Sequence, residues 1–327
     1  MKKKIGMRRL ATALLSGALA MAVVPAMAAD KVTLQLKWVA QAQFAGYFVA
    51  KDKGYYKDEG LDVDIKPGGP DIAPEQVIAG GGADVIVDWM AAALAARDKG
   101  VELVNIAQPF DKAGLEIACP KDGPIKKPED FKGHTVGVWF FGNEYPFFAW
   151  MNKLGISTEG GPNGVKVLKQ SFDVQPLIQH QADCIHVMTY NEYGQLLDAG
   201  YKPEDLLVFN YSQLGQNMLE DGLYALGSKL KDPAFQDKMV RFVRASMKGW
   251  HYAAEHPDEA AEITVDAGAQ DEHHQQYMAG EVAKLIGDGK LDEAAYDRTA
   301  KMVVDQKIVS KAPEGAWTHE ITDKAIK

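Results

Sequence analysis

From residue 31 onward the apolar and polar positions fall into two alternating rhythms. VTLQLKW (32–38) has a period of two and reads as a half-buried strand ending at Trp38. AQFAGYFVAKDKGYYKDEG (42–60) then places Phe44, Tyr47, Phe48 and Ala50 at helical spacing, with stops at Gly54 and Gly60. LDVDIKPGG (61–69) alternates again and ends in a Pro-Gly-Gly turn. A short helix over APEQVIAGG, a strand over ADVIVDW, a helix over AAALAARDKG and a strand over VELVNIAQPF follow. A second series begins after Cys119-Pro120, with strands at HTVGVWF, VKVLKQ, ADCIHVMTY and LLVFNY and helices at EYPFFAWMNKLG and QPLIQHQ. From Asp232 onward the pattern is helical to the end.

Strands alternating with helices at this spacing predict parallel sheets covered by helices, an α/β protein. Ligands of such sheets gather outside the carboxyl ends of the strands. Trp38, Gly68-Gly69-Pro70, Asp88-Trp89, Gln108-Pro109 and Tyr190-Asn191-Glu192 fall at those ends.

The first 28 residues stand apart from this pattern. Five basic and no acidic residues precede an apolar run too short to span a bilayer comfortably, and Ala26-Met27-Ala28 follows, a secretory signal with cleavage expected after Ala28. No cysteine lies near the cut to take a lipid anchor, so a freely soluble periplasmic protein is expected. Losing the signal takes the net charge from −9 to −14, and no Lys/Arg-rich run remains, which argues against nucleic acid as a partner. The remaining length favours two lobes. Cys119 and Cys184 each sit in an apolar run, and buried free thiols are expected rather than a bridge.

Three stretches carry a resemblance: LKWVAQAQFAGYFVAKDKGYYKDEGLDVDI (36–65), KKPEDFKGHTVGVW (126–139) and FVRASMKGWHYAAEHPDEAAEI (242–263). Together they resemble the nitrate/sulfonate/taurine and thiamine-pyrimidine-precursor family of periplasmic substrate-binding proteins of ABC importers. The resemblance implies a two-lobed type II periplasmic-binding-protein fold, each lobe a mostly parallel sheet with covering helices. It places lobe 1 at residues 29–118 plus 222–327 and lobe 2 at 119–221. The hinge crossings are then expected near Ile117–Pro120 and Glu220–Tyr224, with one small solute in the cleft. It also implies delivery of the solute to a membrane permease by hinge closure, and a monomer without a cofactor is expected. Fold alone does not fix the ligand.

WFFGNEYPF (139–147) packs five aromatic rings around Asn143 and Glu144. In the helix that follows, Phe147, Trp150, Met151 and Leu154 share one side and are expected in the core, as are Phe44 and Tyr47. Trp139, Phe140, Gly142, Asn143, Glu144 and Tyr145 lie instead between strand and first helical turn, where unpaired amides face a cleft. With Trp38, Asp88, Trp89, Tyr190 and Glu192 they form the expected ligand-binding set. Carboxylates accept from amino groups, and rings stack on flat heterocycles or cations, so the set suits an aminopyrimidine. A flavin or an organosulfonate is the rival solute. Each residue also has a plain structural use: Asp88 could cap the helix at Met90, and Glu192 could cap or form a salt bridge.

Enzyme signatures are missing. There is no G-x-S-x-G, no H-E-x-x-H and no phosphate loop, and Gly80-Gly81-Gly82 precedes a strand rather than opening a helix. Cys184 and His186 share a strand face without further metal ligands, and His273-His274 is expected on a solvated helix. Eukaryotic relatives in the resembled family make the thiamine pyrimidine with a cysteine-rich motif that this chain lacks. A pyrimidine-forming enzyme and a periplasmic sensor remain the readings from other classes.

Overall fold

A computed structural model describes residues 28–140, 142–311 and 313–326 of the chain. The expected signal peptide, save its last residue, lies outside the described residues.

The first sheet holds six strands. β1 (Asp30–Gln35) pairs in parallel with β2 (Leu61–Lys66) and with β3 (Val85–Asp88). β4 (Leu103–Phe110) ends this run, and the chain then leaves for a second sheet. That sheet is made of β5 (Leu115–Pro120), β6 (Thr135–Val138), β7 (Lys166–Lys169), β8 (Cys184–Met188) and β9 (Leu206–Asn210), in the spatial order β7-β6-β8-β5-β9. The chain returns as β10 (Gly222–Leu226), which slots antiparallel between β3 and β4; β11 (Ile286–Gly289) adds to the far edge of β4.

Both sheets are therefore mixed. Parallel pairing holds for β1-β2, β1-β3, β6-β7 and β6-β8, where helical crossovers intervene. The strands that carry the chain between sheets pair antiparallel, because they arrive from the opposite direction. β11 lies in a stretch whose pattern reads as helix; its sequence IGDG has too few apolar positions to show an alternation.

The passages between sheets are short. Residues 111–114 join β4 to β5, and 211–221 join β9 to β10. The first passage falls earlier than Ile117–Pro120, because β5 is already an inner strand of the second sheet from Leu115 onward.

β5 and β8 run antiparallel with Ala118 opposite Ile185, which sets Cys119 directly against Cys184. The two cysteines form a disulfide, which corrects the expectation of free thiols. Nothing in the linear spacing shows that these two strands are neighbours.

The first sheet is covered by helices Ala45–Asp52 and Pro233–Glu255, the latter capped by the Asp232 carboxylate accepting from Ala234 N–H at 3.0 Å. They cross closely, with Gly46 and Gly249 at the point of contact and the Trp250 ring packed on Gly46. A Cβ on Gly46 would lie 2.1 Å from the Trp250 ring, and one on Gly249 would lie 2.1 Å from the Gly46 carbonyl oxygen. Phe44 and Tyr47 are buried as expected, and so are Phe147, Trp150 and Met151.

Candidate ligand-binding cleft

The carboxyl ends of β3 and β8, with the loops after β1 and β6, face one another across a narrow cleft with about 40 Å³ of free interior. One wall carries Lys37, Trp38, Gln41, Gln43, Gly69, Ile72, Pro74, Asp88 and Trp89. The other carries Trp139, Phe140, Asn143, Met188, Asn191 and Glu192. The strand-end rule thus brings together Trp38, Asp88, Trp89, Trp139, Phe140, Asn143 and Glu192.

Gly142, Glu144, Tyr145 and Tyr190 are placed elsewhere. Gly142 has φ 98°, and a Cβ there would sit 2.5 Å from the Ala92 Cβ, so this turn abuts the helix Met90–Asp98 of the opposite wall. Glu144 turns its carboxylate back onto the Gly142 N–H at 2.8 Å. Tyr145 faces with both of them a separate hollow containing Glu75 and Lys169. Tyr190 is fully buried with its ring against Gly114, in the first passage between sheets, and edge-on to Phe110 at 6.4 Å.

Asp88 is the most exacting group in the cleft. It ends β3 and is 1% exposed. Its Oδ1 accepts from the Trp89 N–H at 2.8 Å, while Oδ2 has no partner. The helix at Met90 therefore gets no side-chain cap from it. Burial pushes this carboxyl well above its ordinary value, and Glu75 adds to the rise; the Trp89 amide and Lys37 oppose it. A buried polar oxygen left unpaired costs about 1–3 kcal/mol.

Glu192 opens the helix Glu192–Asp198 and is also buried. Its Oε2 accepts from the Met188 N–H at 3.0 Å and its Oε1 from the Asn191 Nδ2 at 2.8 Å. Burial raises it to about 7. The Asn191 Oδ1 accepts in turn from His274 Nε2 at 2.8 Å. His274 is therefore buried and engaged rather than solvated; its neighbour His273 is exposed.

Sequence reasoning missed the polar group of Lys37, Gln41 and Gln43 on the first wall, and it named Asn191 at a strand end without including it in the binding set. The Lys37 ammonium stands 4.2 Å from the centre of the Trp89 ring and 2.8 Å from Asp221. Asp221 also accepts from Gln43 Nε2 at 2.7 Å, and Gln43 accepts from Gln41 Nε2 at 2.7 Å. The available signal was position: Lys37 adjoins Trp38 at the end of the first alternating run. Its partner Asp221 lies far along the chain, in the second passage. Among the described residues no group of His, Cys, Asp or Glu could hold a metal ion.

Two α/β lobes joined by two passages, with a cleft at their strand ends, define the periplasmic-binding-protein fold. The NMT1/THI5-like family profile matches residues 41–260, more than half of the chain, and the protein belongs to that family. The chain is 26% identical to the formylaminopyrimidine-binding protein of Halalkalibacterium halodurans, over 72% of this chain and 70% of that one. It is 25% identical to a riboflavin-binding protein of Chloroflexus aurantiacus, over 72% of this chain and 66% of that one. A 4-amino-5-hydroxymethyl-2-methylpyrimidine phosphate synthase of Saccharomyces cerevisiae is 32% identical over 34% of this chain and 33% of its own. Among solved structures, the ligand-binding component of an ABC-type import system from Staphylococcus aureus superposes with TM-score 0.69 at 13% identity, covering 90% of this chain and 99% of that one. The periplasmic aliphatic sulphonate binding protein of Escherichia coli gives TM-score 0.65 at 13% identity, covering 91% and 92%. These structural likenesses establish the shared fold.

Proposed function

We propose that this protein is the solute-binding component of an ABC importer and that it closes on a planar amino-heterocycle, a pyrimidine precursor of thiamine or a near analogue. The observation that carries the reading is the unpartnered Asp88 Oδ2, buried in the cleft among Trp38, Trp89 and Trp139. An exocyclic amino group or a protonated ring nitrogen would satisfy it while the indoles stack on the ring. Trp38 and Trp139 come from opposite walls, which supports a heterocycle sandwiched between them. Glu192 and Asn143 supply further polar contacts. The pyrimidine-binding relative supports the same chemistry.

An organosulfonate fits less well. The one ammonium on the cleft wall, Lys37, is committed to Asp221 and to the Trp89 face. A flavin is the second reading. It is favoured by a hollow that shares Trp38, Gln41 and Asn191 with the cleft and gives room for a polar tail. Capture rather than synthesis is favoured because both cysteines are spent in one disulfide, and because the synthase relative matches only a third of the chain. The basic and apolar N-terminal pattern sends the protein to the periplasm, where it acts as a monomer and passes its solute to a membrane permease.

The test is thermal melting of the mature chain with 4-aminopyrimidines, riboflavin, alkanesulfonates and nitrate. A ligand at one hundred times its dissociation constant adds about 2.7 kcal/mol. A shift with aminopyrimidines alone is expected. A shift with sulfonates alone would overturn the reading.

A further inference from the structure

Lys37 and Asp88 both line the cleft beside Trp89, yet Asp88 Oδ2 has no hydrogen-bond partner. An ammonium next to a buried carboxylate oxygen would ordinarily take it, because buried charges are stable only when paired. What holds this one away is Asp221. The Lys37 ammonium stands 2.8 Å from Asp221 and lies over the Trp89 ring, 4.2 Å from its centre. Burial raises the Asp88 carboxyl and Lys37 is among the groups opposing that rise, so ammonium and carboxyl are within electrostatic reach.

Asp221 is fixed from every side. It is 1% exposed and stands behind the cleft wall, outside its lining. Its φ of 53° lies in the left-handed region, which aspartate and asparagine tolerate better than other side chains. His180, Asp271 and Lys307 share that conformation but are exposed, so Asp221 is the buried one of the four among the described residues. The next residue, Gly222, has no room for a Cβ, which would lie 2.6 Å from Asn105 Nδ2. The Asp221 carboxylate also accepts from Gln43 Nε2 at 2.7 Å. Just before it, the Glu220 carbonyl oxygen accepts from Gln108 Nε2 at 2.6 Å, and Glu220 Oε1 from the Gly114 N–H at 3.0 Å. A carboxylate held in this way sets the position of its ammonium.

We infer that Asp221 is a positioning residue: it holds the Lys37 ammonium off Asp88 and so keeps Asp88 Oδ2 open to the solute. The inference rests on the amino-heterocycle reading above and adds to it a residue outside the cleft lining. Without Asp221, Lys37 would be a buried cation in need of another anion. Glu192 has both oxygens occupied, by the Met188 amide and by Asn191. Asp88 Oδ2 and Glu220 Oε2 remain as unpartnered acid oxygens. Of the two residues, Asp88 shares the cleft wall with Lys37, so the ammonium moves there and takes the solute's acceptor.

The experiment compares the wild type, Asp221→Asn and the double variant Asp221→Asn with Lys37→Met. Each is titrated in a calorimeter, as the full mature protein, with 4-amino-5-hydroxymethyl-2-methylpyrimidine, and each is crystallised without it. Asparagine keeps the shape, the left-handed backbone and an acceptor for Gln43, and drops the charge. Asp221→Asn should bind the pyrimidine on the order of 10- to 100-fold more weakly, with the Lys37 ammonium found on Asp88. The double variant removes both partners of the buried pair, which is milder than removing one, and should recover most of that loss. A residue that merely supports the fold would give the reverse, since the second substitution would add its own damage. Should Asp221→Asn not fold, Lys37→Arg keeps the charge, and its fork can span both carboxyls. It should weaken binding with Asp221 intact, and affinity equal to the wild type would then overturn the inference. If the wild type does not bind the pyrimidine, the heterocycle reading fails by itself and the crystal structures decide: Lys37 on Asp88 in Asp221→Asn supports the inference. Lys37 left over Trp89 or moved to Glu220 in that variant would overturn it, and so, where the wild type binds, would a double variant binding no better than the single one.

Discussion

Asp88 and Glu220 show how much of this molecule's behaviour is set by single buried carboxyls. Replacing Asp88 by Asn keeps the shape and an acceptor for the Trp89 amide but puts an NH2 donor in the place of Oδ2. A ligand N–H set against that donor loses its partner, which costs about 1–3 kcal/mol, so affinity for an aminopyrimidine should drop by roughly one to two orders of magnitude, read by titration calorimetry. Glu220 lies in the second passage, accepts from the Gly114 N–H of the first at 3.0 Å, and leaves its Oε2 unpartnered. Burial raises it to about 8, with Asp221 adding to the rise and Lys37 opposing it. A carboxyl raised on folding holds its proton in the native state at pH values where the unfolded chain has lost it. Its contribution therefore favours folding at low pH and is lost as pH climbs from about 4.5 to about 8, by up to about 1.4 kcal/mol per unit. The unliganded protein should melt progressively lower across that window, and Glu220→Gln should flatten the profile while keeping the Gly114 bond. An unchanged slope would show that other groups set it. At this scale the sequence was readable where position alone decides: Trp38, Asp88 and Glu192 were found because strand ends point at clefts. Gly142, Glu144, Tyr145 and Tyr190 passed the same filter and lie off the cleft. Gly142 is held against Ala92 and Tyr190 against Gly114, residues remote in the chain that no local pattern brings near, while Glu144 turns back onto the Gly142 amide.

At the scale of elements, the order of strands and helices was legible because each alternation needs only its own residues. The partners were not. β10 entering between β3 and β4, β11 on the edge, and the pairing that sets Cys119 against Cys184 all depend on segments far apart in sequence. The same holds for the crossing of helices Ala45–Asp52 and Pro233–Glu255. Gly46 and Gly249 look like weak points inside helices, since glycine there is about 1 kcal/mol less favourable than alanine. The contact explains them, because a methyl group at either position has no space. Gly249→Ala should therefore destabilise the protein in spite of its better helix propensity. The overpacking penalty is about 1–3 kcal/mol, visible as a lower urea midpoint with unchanged slope. An increase in stability would mean that the helices separate easily and that the close approach has no structural weight.

For the whole molecule, the decisive contacts are those that hold the two walls of the cleft together away from any ligand. Helix Glu272–Val282 packs against the helices of the first lobe yet reaches across the cleft mouth to the second. The Tyr277 hydroxyl donates to the Thr189 carbonyl oxygen at 2.8 Å. Its ring lies where a Cβ on Gly194 would come within 2.4 Å, and His274 grips Asn191 one turn earlier. On the opposite side Lys169 reaches Asp71 at 3.2 Å, but both side chains are largely exposed, and such a pair contributes little. Any opening about the passages 111–114 and 211–221 must break the Tyr277 contact, whereas a solute sitting between Trp38 and Trp139 does not touch it. Tyr277→Phe removes one neutral hydrogen bond of about 0.5–1.5 kcal/mol and leaves the ring packing intact. The closed state should lose that amount relative to the open one, and the solute should bind roughly 2- to 10-fold more weakly through faster dissociation, with association little changed. A distance measured between spin labels on Glu255 and Glu204, both exposed and on opposite lobes, should shift toward longer values in the unliganded variant. If affinity falls while the distance distribution stays put, Tyr277 acts locally on the cleft wall and does not latch the lobes.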